Sequence, residues 1–231
     1  RDRSGSPIDP NANILSLMVS VAGTGGVAVN GAFTGNDITN TLAAGIDNST
    51  VTSTGGDIIL DTDSDAGILA LTVGVAGSGA VAVNATGFGN VIANTISSTI
   101  SGGSDVTTNA ASGDISLTAD DISQIRSAAV SVAGTGAVAA GALIGANVIT
   151  NSVIAEISGS TIDSGATLNL AATNDANILG LTVGVAASGA GAGLLSLTGN
   201  VITNTTRAAI SGEGASRSTV DADGAVTLSA V

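Results

Sequence analysis

The chain has 231 residues, 18 of them acidic against 5 arginines, for a net charge of -13, and it contains no Cys, His, Lys, Trp or Tyr. Without thiols, imidazoles and amines it has no disulfides, soft metal sites or Cys, His and Lys nucleophiles, which leaves carboxylates and hydroxyls as its only catalytic groups. An acidic chain with only two aromatic residues is also unsuited to nucleic acid, so we expect no such partner.

Two short motifs recur along the chain and predict an internal repeat. The first, Val-x-Val-Ala-x-x-Gly, occupies residues 19–25, 73–79, 130–136 and 183–189. The second, Asn-x-Ile-x-Asn, begins in each case 15 residues after the second valine of the first motif. The repeats are about 54 residues long and run over 11–65, 66–121, 122–175 and 176–231. We therefore expect a single domain at 11–231, with residues 1–10 as a leader or the end of a preceding repeat.

Alternation of residue types predicts strands and an all-β fold. In the first strand of each repeat the large aliphatic residues share one face, which we expect to form the core. They are Leu15, Leu17, Val19, Val21 and the equivalent Leu69, Leu71, Val73, Val75, Leu179, Leu181, Val183 and Val185. The opposite row holds small residues.

A second strand follows at the Asn motif, with an inward row of Asn36, Ile38, Asn40, Leu42, Ala44 and Ile46. A separate third strand closes each repeat, with apolar pairs such as Ile58 and Leu60 facing inward. Stacking these units predicts a parallel β-solenoid of four repeats. The repeat length leaves open whether each copy makes one broad coil or several narrow ones.

In-register stacking places identical residues in columns, and asparagine columns favour side-chain hydrogen bonds between neighbouring coils. We predict two structural ladders, formed by Asn36, Asn90, Asn147 and Asn200 and by Asn40, Asn94, Asn151 and Asn204. A row of amides that contacts a ligand is the alternative for these residues.

Acidic residues cluster at the seam between repeats. They include Asp61, Asp63, Asp65, Asp121 and Asp175. Carboxylates at ladder spacing repel one another, and a calcium ion would remove that cost. However, the sequence after Asp61 lacks the glycine and glutamate of a calcium-binding helix-loop-helix. We expect no cofactor, with a solvated acidic edge as the main interpretation and calcium as the alternative.

Long uncharged stretches, such as 66–104, are rich in Gly, Ser, Thr, Asn and β-branched residues. This composition favours strands over helices, so we expect no membrane-spanning segment.

The copies resemble the repeats of filamentous hemagglutinin-like bacterial surface adhesins over residues 11–231. The resemblance rests on the two motifs above and on Gly-Asp-Ile-x-Leu at 56–60 and 113–117, although the last two copies lose the Gly-Asp pair. It implies a right-handed parallel β-helix that forms a rod projecting from the cell.

The leading hypothesis is a non-enzymatic structural filament or adhesin stalk, located extracellularly or on the bacterial cell surface. Its expected partner is itself, end to end or laterally, with a host or neighbouring cell surface as a further candidate. One alternative is an ice- or surface-binding solenoid that uses outward threonine rows at Thr39, Thr41, Thr150, Thr203 and Thr205. The other is a polysaccharide-cleaving β-helix enzyme, which would need paired carboxylates together with aromatic or basic substrate contacts.

Overall fold

The structure is a computed structural model that describes residues 14–231, with the exception of 110, 112 and 213. The segment 1–10, predicted as a leader or the end of a preceding repeat, and residues 11–13 of the first repeat lie outside the described residues.

Seventeen strands and one short 3-10 turn, Gly214–Ser216, make up the described chain. The first coil contains β1 (Ile14–Thr24), β2 (Val27–Ile38), β3 (Thr41–Asp47) and β4 (Thr50–Ser53). The second contains β5 (Ile58–Ser78), β6 (Val81–Ile92), β7 (Thr95–Ser101) and β8 (Asp105–Thr108). The third contains β9 (Ile115–Thr135), β10 (Val138–Ile149), β11 (Ser152–Ser158) and β12 (Thr161–Ser164). The fourth contains β13 (Leu168–Ser188), β14 (Gly191–Ile202), β15 (Thr205–Ser211) and β16 (Thr219–Ala222), and β17 (Val226–Ala230) follows it.

Each strand pairs in parallel with its equivalent in the neighbouring repeat. Sheet A contains β1, β5, β9, β13 and β17. Sheet B contains β2, β6, β10 and β14, sheet C contains β3, β7, β11 and β15, and sheet D contains β4, β8, β12 and β16. The second valine of the first motif, which we call the anchor valine, is Val21, Val75, Val132 and Val185 in the four repeats. These four residues are direct register partners. The protein is therefore an all-β parallel solenoid in which each repeat makes one broad coil.

The strand that closes one repeat and the strand that opens the next are a single strand. β5, β9 and β13 each run without interruption for 21 residues. The prediction of a separate third strand is therefore wrong, although its inward pair Ile115 and Leu117 is fully buried as expected.

The predicted core face of the first strand is also wrong. Leu15 and Val21 are 74% and 72% exposed, and the equivalent leucines and valines of the later repeats also face outward. Leu60 faces the interior. Every second residue after it on the unbroken strand does the same, including Ala66, Ile68 and Ala70. Because side chains alternate strictly along a strand, the large aliphatic residues are left on the outside.

The interior has two parts of different character. The part that we call the body lies between the first halves of the long sheet A strands and sheets C and D, and isoleucine, leucine and valine fill it. Its buried residues include Ile96, Ile100, Val106, Leu117, Ile157 and Leu168.

The second part, which we call the lobe, lies between the second halves of the sheet A strands and sheet B. Near the turn that joins the two sheets, its core is a layer of alanines at positions 76, 82, 133 and 139. Phe88 is the one large ring among its buried residues, and it fits because its register neighbour is Gly145, where a Cβ would collide with that ring. Near this turn, small inward residues thus allow sheets A and B to approach closely, whereas isoleucines such as Ile68, Ile92 and Ile125 fill the end of the lobe nearest the body.

Two turns explain recurring residues of the repeat. Between sheets C and D, Asn48, Gly102, Gly159 and Gly212 all have positive φ, a conformation that glycine and asparagine tolerate best. Between sheets A and B, the last glycine of the first motif lies against the backbone of the preceding coil. A Cβ on Gly136 would lie 2.6 Å from the carbonyl oxygen of Gly79.

Candidate functional site: polar ladders and an outward apolar face

The first predicted asparagine column forms a continuous chain of amide hydrogen bonds inside the lobe. Nδ2 of Asn36 donates to Oδ1 of Asn90 at 2.7 Å, Asn90 donates to Asn147 at 2.8 Å, and Asn147 donates to Asn200 at 2.8 Å. The facing strand leaves room for this ladder at Gly180, where a Cβ would lie 2.9 Å from Nδ2 of Asn147. The ladder joins all four coils.

The second asparagine column lies at the corner between sheets B and C and bonds differently. The backbone N–H of Asn40, Asn94 and Asn151 donates to Oδ1 of the next asparagine, at 3.3, 3.0 and 3.0 Å. The last acceptor is Asn204. These side chains therefore satisfy backbone donors that the sheets leave unpaired where the chain changes direction.

Two amide nitrogens of this second column, those of Asn94 and Asn151, donate to Asp121, which is only 1% exposed. Its Oδ1 accepts from Nδ2 of Asn94 at 2.8 Å. Its Oδ2 accepts from Asn151 at 2.6 Å, from the Ser123 hydroxyl at 2.8 Å and from Asn174 at 3.0 Å. Four donors thus compensate for the loss of water around a buried carboxylate.

A third amide cluster in the lobe was not predicted. Nδ2 of Asn30 donates to Oδ1 of Asn84 at 3.0 Å, and Nδ2 of Asn84 donates to the Gly74 carbonyl at 2.6 Å and to the Ser131 hydroxyl at 2.9 Å. Asparagine does not recur at this position in every repeat, because the equivalent residues in the third and fourth repeats are Gly141 and Leu194. The repeat pattern therefore did not indicate a column here.

The five acidic residues considered for calcium are not brought together. Asp121 faces the interior, whereas Asp65 and Asp175 are exposed on the outer side of sheet A, with Ile122 between them in the register. Asp61 and Asp63 lie further along that outer row, where Asp61 accepts a hydrogen bond from Thr118 at 2.5 Å. In the described part of the chain, no group of three or more acidic side chains is close enough to hold a metal ion.

The aspartates of the Gly-Asp-Ile-x-Leu motif form a short ladder at the corner between sheets D and A. The backbone N–H of Asp114 donates to Oδ1 of Asp57 at 2.9 Å. The backbone N–H and hydroxyl of Thr167 donate to Oδ1 of Asp114 at 2.9 and 2.7 Å. Each carboxylate thus accepts from a backbone N–H of the next coil.

These bonds from the Thr167 backbone and hydroxyl lower the pKa of Asp114 below its ordinary value of 3.8. The stability that the carboxylate contributes is therefore present above the unfolded-state pKa and is lost as the pH falls through the folded-state pKa. We expect Asp114→Asn to lower the melting temperature at about pH 7 and to have a smaller effect at about pH 2. Thermal unfolding followed by circular dichroism measures this difference, with Asp163→Asn, at an exposed aspartate of β12, as the control. An equal effect of Asp114→Asn at both pH values would contradict it.

The threonine rows considered for ice binding flank the second asparagine column. Thr39 and Thr203 follow the last residues of β2 and β14, whereas Thr41 and Thr205 begin β3 and β15. All four are exposed, but the two rows lie on either side of a corner between sheets B and C. They do not occupy the face of one sheet.

The outer side of the lobe on sheet A is a large apolar surface, which we call the Leu-Val face. It consists of the outward side chains of the second halves of β1, β5, β9 and β13. They are Leu15, Leu17, Val19, Val21, Leu69, Leu71, Val73, Val75, Arg126, Ala128, Val130, Val132, Leu179, Leu181, Val183 and Val185. Arg126 is the only charged residue among them.

The Leu-Val face contains a groove where the third coil has Ala128 in place of leucine. The groove has a volume of about 450 Å³ and an almost wholly apolar lining, which includes leucines of the first, second and fourth coils. The register places Leu71 and Leu181 on either side of Ala128, on strands whose backbones are about two strand spacings, or roughly 10 Å, apart.

Comparison with protein-family models, with curated proteins and with solved structures finds no match to this chain. None of the helical structure in the described residues is long and apolar enough to cross a membrane.

Proposed function

We propose that this chain forms an extracellular structural filament or adhesin stalk, built by stacking β-solenoid repeats and without enzyme activity. The observation that supports the proposal best is the register, because every strand of all four sheets pairs with equivalent residues in a neighbouring coil. Each repeat therefore adds about 4.8 Å to a rod of constant cross-section. This arrangement builds length rather than a single site where unlike groups converge.

The polar interior also supports a structural role. The Asn36 ladder joins all four coils through three amide bonds, and Asp121 is enclosed by donors from its own and neighbouring coils. A carboxylate that is 1% exposed and has four donors is positioned to hold coils together, not to meet a substrate. The net charge of -13 suits a protein kept soluble outside the cell by self-repulsion.

Further coils can add to the described ones. The outer edges of β1 to β4 and of β14 to β16 pair with no strand in the described part of the chain. These edges present rows of backbone donors and acceptors that a further coil, of the same polypeptide or of a second copy, can pair with in register. The proposed partner along the axis is therefore the same repeat.

Electron microscopy of the chain at micromolar concentration tests the proposal. We expect elongated particles of constant width whose length grows with concentration in steps of about 19 Å, four strand spacings per chain. Monodisperse particles of one fixed size at every concentration would count against it, as would cleavage of an acidic polysaccharide.

A further inference from the structure

We propose that the Leu-Val face is a lateral docking surface for a second copy of this chain, so that solenoids pair side by side. The inference rests on the proposed filament function but concerns a different direction of assembly. It begins from the outside of the lobe, which leucine and valine cover, although apolar residues such as Ile68, Ile92 and Phe88 also pack inside it beside the alanines and asparagines.

The size of the Leu-Val face fits a protein interface. Four strands about 4.8 Å apart and eight residues of about 3.3 Å each give roughly 500 Å² of surface. Burying this area on two copies removes roughly 1,000 Å² from water, which is the area at which specific interfaces begin. An apolar patch of this size is at the upper end of what monomeric proteins expose.

Charge is segregated away from this surface. In residues 14–38, 66–92, 122–149 and 176–202, which form most of the lobe, Asp37 and Arg126 are the only charged residues. The exposed acids Asp63 and Asp65 lie on the body half of the same outer side of sheet A. Two copies that meet through the lobe can therefore keep their acidic halves in water. Arg126 lies on the side of the face nearest this half, and its aliphatic stem lets the guanidinium reach solvent.

The shape of the face favours another copy as the occupant. Its ridges repeat at the strand spacing, and only a partner with the same spacing matches them over all four coils. The groove at Ala128 has a volume of about 450 Å³ and can receive leucine side chains such as Leu69 and Leu71 of the second copy. Sheets that pack in this way lie about 10 Å apart, as in sandwich folds.

Sedimentation velocity of three proteins at about 1 to 100 µM tests the proposal. The face variant carries Leu71→Lys and Val183→Lys, both at outward positions. The matched control carries Thr39→Lys and Thr203→Lys, which make the same charge change at exposed sites outside the face. We expect the wild type and the control to associate equally, and the face variant, which keeps its axial edges, to pair laterally roughly 100-fold more weakly with an unchanged circular dichroism spectrum.

Small-angle X-ray scattering separates lateral pairing from axial growth. Lateral pairing approximately doubles the thickness of the particle in the wild type and the control, whereas axial stacking changes only its length. A wild type that stays one solenoid thick at about 100 µM, or a face variant that pairs like the wild type, would overturn the lateral contact and leave the stalk proposal intact. A single-thickness wild type that binds phosphatidylcholine vesicles, with binding lost in the face variant, would also overturn it and assign the face to a lipid surface.

Discussion

Replacing Gly136 with alanine is expected to lower the free energy of unfolding by about 1 to 3 kcal/mol, the range for forcing extra atoms into a packed site. The new Cβ would lie 2.6 Å from the carbonyl oxygen of Gly79 in the preceding coil. Backbone atoms hold that oxygen in place, so relief requires the coils to move apart at the turn between sheets A and B. Urea unfolding followed by circular dichroism measures the loss.

The matched control for this change is two residues away in the same motif. A Cβ on Gly134 would meet no atom within 4 Å. Gly134→Ala should therefore be neutral or stabilise by up to about 1 kcal/mol, because alanine restricts the unfolded chain. Equal losses for the two variants would show that the close approach between coils at Gly136 is not what the motif requires.

Replacing Asp121 with alanine is expected to lower the free energy of unfolding by about 3 to 5 kcal/mol, because it leaves several buried donors unsatisfied at about 1 to 3 kcal/mol each. The substitution leaves the amide nitrogens of Asn94, Asn151 and Asn174 without their common acceptor in the interior. Buried donors without acceptors are costly because they have also lost their hydrogen bonds to water. Chemical unfolding measures the change.

The neighbouring aspartate provides the control. Asp120 lies on the outer row of β9 and is partly exposed, so Asp120→Ala should change the free energy of unfolding by less than about 0.5 kcal/mol. Asp121→Asn should fall between the two alanine variants, since it keeps one acceptor oxygen but adds a donor among donors. An Asp121→Ala variant as stable as Asp120→Ala would contradict the role of the buried carboxylate.

The register of the solenoid could be read from the sequence because the repeat motifs are paired residue by residue. Val21 pairs with Val75, and Asn36 with Asn90, as their positions in the motifs predict. The fold class followed from this periodicity and is confirmed. The number of coils per repeat could not be derived, since a repeat of about 54 residues is compatible with several coil widths.

The orientation of the first strand could not be read from the same motif. Its two rows are leucine and valine on one side and small residues on the other, and the usual rule places the larger residues inside. The inward side of the strand is decided upstream, at Leu60. Because the strand is unbroken and its side chains alternate, Ile68 and every second residue after it face the same side as Leu60. A prediction of two separate strands, one before and one after the acidic residues, cannot extend the inward direction of Leu60 to Ile68.

The same connection explains the position of Asp121. Its partner in the second repeat is Ser64 and not Asp65, because the spacing between the second and third anchor valines is 57 residues. A shift of one residue moves a side chain to the opposite face of a sheet. Asp121 therefore faces inward, while Asp65 and Asp175 face outward.

The central claim is that each repeat makes one coil, and a distance between the first and fourth repeats tests it most directly. The chain has no cysteine, so Thr41→Cys and Thr205→Cys introduce a single pair of spin-label sites at equivalent outward positions three coils apart. One coil per repeat predicts a backbone separation of about 14 Å, seen as strong dipolar broadening in the electron paramagnetic resonance spectrum. A separation of about 29 Å or more would mean two or more coils per repeat and would contradict the account.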